Sequence, residues 1–298
     1  NIFFDHSRRD FPEASTHMIV WHNGQLLSHD EATIAASSAG ALLGWGVFTT
    51  LGVWNGRAFA LAQHLKRLRD NAHTARVEMN FSDDEIAVAL DKILRANRIV
   101  RGTARITISR RGDGRWNAST GSDLLILTRP IADVSTRLRV SLSPHRIEAR
   151  RPLHGVKTTS FLEYQLAWME ASEAGFDETV LRNSEDFLCE ASRANLFWTK
   201  DGVLRTPSLD SGCLPGVSRE IVLRGARELG TNVEEKLFRP IELQNADEVF
   251  LTSSAQGLCA VSELVDESGQ RFEYSQDILT SRLTRFWNEC VQRETGKS

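Results

Sequence analysis

The chain has 298 residues, 41% hydrophobic and 25% charged, with a formal net charge of −3. That length suits two core-bearing domains or one large one, and the near-balanced charge, with arginines interspersed among acids, leaves no electrostatic footprint for nucleic acid. No apolar run approaches the ~20 residues that span a bilayer, and the four scattered cysteines (Cys189, Cys213, Cys259, Cys290) form no Cys-x-x-Cys pair, so neither a membrane span nor a metal site is expected.

Residues 1–17 carry charges throughout and hold no apolar core of signal-peptide length, while Met18 offers an alternative start. The expectation is a cytoplasmic chain with reduced thiols. "MIVWHNGQLL" then reads as two short strands about an Asn23-Gly24 turn, and "VFTTLGVWNGRAFAL" repeats that logic about Asn55-Gly56. Leu61, Leu65 and Leu68 fall at helical spacing in "LAQHLKRLRDNAHTA". Ser82 and Glu85 form a capping box ahead of Ile86, Leu90, Ile93 and Leu94. "TARITISRR" and "DLLILTRP" are strands flanking a Gly-rich loop.

A domain linker is expected at 129–137, between a small domain over 1–128 and a larger one over 138–298. The second half opens with the strand "LRVSLSP". A helix follows Lys157, with Leu162, Leu166 and Met169 expected along one side and an end near Gly175. Strands "ETVLRN", "FLCEAS" and "ANLFWTKDGVLRTP" come next, then a helix from Gly216 to Gly230 and the strand "DEVFLTSS". Without strict alternation of strand and helix, the pattern predicts an α+β protein of two domains.

Chemistry concentrates in the second half. The chain favours arginine over lysine, yet "RPLHGVKTTSFLEYQLA" carries Lys157. A desolvated lysine can lose its proton and form an imine, which arginine cannot; a surface lysine at a helix entry is the plainer alternative. Glu190 interrupts an apolar strand and is either structurally paired or used. Val217 and Ser218 open a helix whose free N–H groups suit a phosphate, although most helices start this way. Ser253-Ser254 is either an anion-binding turn or an ordinary one. An imine-forming lysine, an acid for a ring nitrogen and two hydroxyl-bearing phosphate turns together describe a site for pyridoxal 5'-phosphate.

Five ordered blocks, "HLKRL", "GVKTTSFLEYQLA", "FLCEASRANLFW", "TPSLDSGCLPGVSRE" and "ADEVFLTSSA", resemble the fold-type IV pyridoxal-phosphate enzymes, or class-IV aminotransferases. The resemblance runs from about Met18 to at least Glu263. It implies a small N-terminal α/β sandwich, a larger barrel-like C-terminal domain and a homodimer. It also implies Lys157 as the Schiff-base lysine and Glu190 as partner of the pyridine nitrogen. The implied phosphate cup comprises Arg67, Val217, Ser218 and Ser254, with Ser253 adjacent. Arg67 alone would have read as a solvated helix arginine.

Within the family, "GVFTTLGV", "RITISRRGDGRW" and "RANLFW" look most like aminodeoxychorismate lyases, which release 4-aminobenzoate and pyruvate from 4-amino-4-deoxychorismate. That likeness implies Thr50 as a proton donor or relay and Arg110 as a holder of a substrate carboxylate; Arg110 also reads as a surface arginine at a strand end. Relatives of this kind often place a glycine directly after that arginine, where this chain has Arg111 before Gly112. Arg193 stands where relatives often carry a small or polar residue. Branched-chain enzymes usually have a tyrosine five residues after the lysine; here that residue is Leu162, and Tyr164 is expected off that face of the helix. The alternatives are an aminotransferase of D-amino or branched-chain amino acids, and an inactive small-molecule-binding homologue, against which intact Lys157, Glu190 and Arg67 argue. A P-loop fails on spacing, because Val156 and Arg151 occupy its glycine positions.

Overall fold

A computed structural model describes residues 18–112, 121–131 and 137–296. The first half contains strands β1 (Ile19–His22), β2 (Gln25–Ser28), β3 (Gly46–Trp54), β4 (Arg57–Ala58), β5 (Gly102–Arg110) and β6 (Ser122–Pro130), with helices α1 (Ala39–Leu43), α2 (Leu61–Thr74) and α3 (Asp83–Ala96). The strands form one antiparallel sheet in the order β2-β1-β6-β5-β3-β4. Its two Asn-Gly turns take positive φ at both residues, 49° and 97° at Asn23-Gly24 and 52° and 75° at Asn55-Gly56. That conformation matches the twist of the flanking strands and is open to asparagine and glycine. The capping box on α3 is complete, Ser82 and Glu85 each accepting from the other's backbone N–H.

Side chains alternate across β3 and β5, and this alternation divides the molecule. Val47, Leu51 and Val53 of β3 and Ile106 and Ile108 of β5 pack on Leu65 and Leu68 of α2 and Ile86, Leu90 and Ile93 of α3. Phe48 and Thr50, on the other face, turn toward the second half.

That second half contains β7 (Arg137–Ile147), α4 (Leu162–Glu173), β8 (Glu178–Asn183), β9 (Leu188–Ala191), β10 (Asn195–Lys200) and β11 (Val203–Pro207), followed by α5 (Val217–Glu228), β12 (Val233–Lys236), α6 (Ile241–Gln244), β13 (Glu248–Ser253), β14 (Gly257–Val265), β15 (Arg271–Glu273) and α7 (Ile278–Thr295). Its mixed sheet runs β12-β11-β10-β13-β14-β7-β8-β9, with β15 on β14. Edge strand β9 comes back against β10 and β11, so the sheet curls into a half-barrel. Trp198, Leu196, Val140 and Leu251 fill one side. On the other, α5 and α7 pack together with Phe59 and Ala60 of the first half. The fold is α+β, with two sheets. Residues 132–136 of the expected 129–137 linker lie outside the described residues, as do residues 113–120 of the Gly-rich loop and the leading 1–17.

On helix α4 the expected grouping is present, and its direction is new. Leu162, Leu166 and Met169 do share a side, but it faces outward, at 67%, 45% and 42% exposure. Tyr164, Ala167 and Ala171 face inward. The four cysteines are free and buried. Among the described residues no helix is long and apolar enough to cross a membrane, and no group of His, Cys, Asp and Glu could hold a metal ion. Ser82→Ala should destabilise the chain by about 1 kcal/mol, read as a lower urea midpoint with unchanged slope; no change in midpoint would show that α3 does not rely on its cap.

Candidate active site

Strand β4 pairs only with Val53 and Trp54, so the start of β3 has a free edge. Residues 157–159 dock there. Phe48 N–H donates to the Lys157 carbonyl at 3.0 Å, Thr159 N–H donates to the Gly46 carbonyl at 2.9 Å, and Val47 pairs with Thr158. The Lys157 ammonium nitrogen lies 4.7 Å from the Phe48 ring centroid and 4.6 Å from that of Phe161. Burial, with the Arg67 guanidinium nearby, lowers its pKa to about 8; Glu190 opposes this and Arg105 adds to it.

Glu190 comes from β9 and is 7% exposed. One carboxylate oxygen accepts from the Tyr164 hydroxyl at 3.3 Å; the other accepts from Leu214 N–H at 3.1 Å and Asn195 Nδ2 at 3.3 Å. Burial raises its pKa, while the Leu214 N–H and then the Lys157 charge pull it back. The three donors suit an ionised carboxylate, able to hold a proton on a facing ring nitrogen.

An anion cup lies at the far end. Helix α5 begins at Gly216 with no side-chain cap, leaving its first N–H groups, from Val217 onward, for a ligand. Ser218 and Ser254 bring their hydroxyls within 3.1 Å of one another. A Cβ on Gly52 would fall 2.2 Å from the Ser254 carbonyl oxygen, so only glycine allows β3 to approach that turn. Arg67 reaches in from α2, its pKa brought to about 10 by burial. The buried Arg67 Nε and Thr252 Oγ1 have no partner, and buried polar atoms left unpaired call for a ligand.

Lys157, Glu190, Arg67, Val217, Ser218, Ser253, Ser254 and Thr50 all line one cavity of about 340 Å³. Arg110 does not. Strand alternation puts it on the opposite face of β5 from Arg105, and its guanidinium stacks 4.0 Å from the Trp45 ring. Arg105 lines the cavity instead, directly across from Thr50 and 3.6 Å from the Phe48 ring. The pairing of two antiparallel strands was the cue that could have found it. Tyr164 lies off the face of α4 that carries Leu162, and that turns it inward, where it is buried and its hydroxyl donates to Glu190. Arg193 lines the cavity mouth, held by Glu178 at 3.1 Å and stacked 4.3 Å from Trp168.

A phosphorylated pyridine aldehyde fits this donor set: an amine of lowered pKa, a carboxylate for the ring nitrogen, and an uncapped helix start with an arginine for the phosphate.

Residues 46–264 match the family model described as "Amino-transferase class IV". The chain is 28% identical over 268 residues to the branched-chain-amino-acid aminotransferase of Pseudomonas aeruginosa, covering 83% of this chain and 84% of that one. It is similar in structure to the T.th. branched-chain amino acid aminotransferase complexed with N-(5'-phosphopyridoxyl)-L-glutamate, at 25% identity and a TM-score of 0.81, covering 95% of each chain. A Legionella pneumophila protein described as a 4-amino-4-deoxychorismate lyase shares the fold, at 24% identity and a TM-score of 0.80, over 87% of this chain and 96% of that one. Pyridoxal phosphate is the cofactor of this chain.

The lowered pKa of Lys157 has a kinetic consequence. Only the neutral amine attacks an aldehyde, so the rate at which the apoprotein captures free pyridoxal phosphate should rise with pH through about 8. Stopped-flow absorbance would follow it; a profile rising only near ~10, as for an ordinary lysine, would overturn the desolvated-amine reading.

Proposed function

We propose that this chain, which belongs to the class IV amino-transferase family, is a pyridoxal-phosphate-dependent aminotransferase whose first substrate class is branched-chain amino acids. The observation that carries the reading is one cavity lined by Lys157, Glu190, the anion cup and a second cation, Arg105. The curated relative is a branched-chain enzyme over most of both chains, whereas the likeness to the lyase is one of fold. When bound, the cofactor supplies an aldehyde and a ring that withdraws electrons from the substrate's Cα.

The chain's own groups do the rest. The Lys157 amine, neutral above about 8, accepts the proton from Cα and can return it elsewhere on the substrate–cofactor frame. Glu190 keeps a proton on the ring nitrogen. Arg67, the α5 N-terminus and Ser218 with Ser254 neutralise the phosphate, so the ring cannot slide as charge builds. Arg105 faces the substrate side. Its Nε donates to Thr107 Oγ1 at 3.3 Å and no acid pairs with it among the described residues. Its remaining N–H groups suit a substrate carboxylate.

One observation supports the lyase as the second reading: Thr50, the residue which that likeness implies as a proton relay, lines the cavity beside Arg105. A paired assay separates the two. Oxo-acid formation from L-leucine, L-valine and a panel of D-amino acids would be followed alongside 4-aminobenzoate release from aminodeoxychorismate. Oxo-acid formation should dominate; rapid aromatic product with weak transamination would overturn the aminotransferase reading. Arg105→Met should raise KM for the amino acid on the order of 10- to 100-fold, the worth of a charged hydrogen bond; an unchanged KM would remove Arg105 from substrate binding.

The outward stripe of α4, Leu162, Leu166 and Met169, together with Leu42 and Leu43 of α1, suits a second copy of the chain. Apolar side chains grouped on a surface beside a site usually mark a contact. Wild-type protein should sediment as a dimer and Leu166→Asp as a monomer. A wild-type monomer at micromolar concentration would refute the homodimer.

A further inference from the structure

Two residues behind the cavity have no part in the reading above: Thr49, the first threonine of "FTT", and His64, which opens "HLKRL". Strand alternation turns Thr49 away from the cavity that Thr50 lines and toward α2. Thr49 is fully buried and His64 is 1% exposed. Thr49 Oγ1 accepts from Arg67 Nη2 at 2.9 Å and lies 2.7 Å from His64 Nδ1.

A guanidinium only donates, so the threonine oxygen accepts from Arg67. It keeps a second lone pair and its own proton for His64 Nδ1, so either neutral tautomer of the imidazole can complete the contact. Burial, then the charges of Arg67 and Lys157, push the His64 pKa well below its usual value. His64 and Arg67, three residues apart on α2, lie on one side of the helix and can share the threonine.

The pairing is unusual for a half-buried arginine whose Nε is sealed from solvent. Such a cation ordinarily meets a carboxylate, but an acid here would cancel the charge offered to the ligand. Neutral partners fix the side chain's direction and leave its charge intact, and Arg67 Nε still lacks a partner. We propose that Thr49 and His64 are positioning residues that aim the Arg67 guanidinium at the cofactor phosphate, an inference that rests on the phosphate assignment of Arg67.

The test compares dissociation constants of the apoprotein for pyridoxal phosphate and for pyridoxal, which lacks the phosphate, by absorbance titration. Thr49→Val should weaken pyridoxal phosphate about tenfold or more while leaving pyridoxal within about twofold, since only an interaction with the phosphate is misaligned. Thr49→Ser, which keeps the hydroxyl, should restore wild-type discrimination. His64→Leu carries the same expectation as Thr49→Val and stands in if that variant does not fold. Equal weakening of both ligands, or a serine variant as poor as the valine one, would reduce the pair to packing and overturn the positioning role. Arg67→Met locates a failure. If it abolishes the phosphate preference while Thr49→Val and His64→Leu leave it intact, the positioning role alone falls. If Arg67→Met itself leaves the preference intact, the phosphate assignment falls and the positioning role with it.

Discussion

The site depends on a short β-bridge. Residues 157–159 complete the free edge that β4 leaves at the start of β3, with main-chain hydrogen bonds on both sides of the Val47–Thr158 pair. A lysine elsewhere on a glycine-bearing loop would reach water and keep its ordinary charge. Held against β3, it lies over two aromatic rings, and desolvation does the rest. The same bridge brings a segment of the second half onto the sheet of the first, so the cavity forms where the two meet.

Charge is distributed in that cavity by function. Its two acids are both engaged: Glu178 with Arg193, and Glu190 with neutral donors and the field of Lys157. Arg67 is held by a hydroxyl, and Arg105 by a hydroxyl and an aromatic face. The walls therefore carry uncancelled positive charge, suited to a ligand bearing a phosphate and a carboxylate. Desolvating that charge costs stability, and the chain tolerates it because the surrounding cores are large and apolar.

Parity along the strands assigns the roles. On β3, Thr50 lines the cavity and Thr49 faces α2, so adjacent identical residues meet different surroundings. On β5 the same rule brings Arg105 in and sends Arg110 to the far side, against Trp45. On α4, Tyr164 reaches Glu190 while Leu162, two residues earlier, points to solvent.

What the amino-acid sequence determined by itself are the features whose physics closes within a few residues. The Asn-Gly hairpins need only φ that those residues adopt. The Ser82–Glu85 capping box spans one turn, and the start of α5 follows from a glycine and the helix after it. The order of the motif blocks carried the family and the cofactor, because the types and sequence of residues survive where contacts are unseen. The tertiary structure alone decided which face of each element meets the other half. Periodicity groups Leu162, Leu166 and Met169 on one side of a helix and separates Arg105 from Arg110 on a strand. It cannot say which group is buried, because that depends on partners scores of residues away in the chain, where β3, β9 and the lysine loop converge.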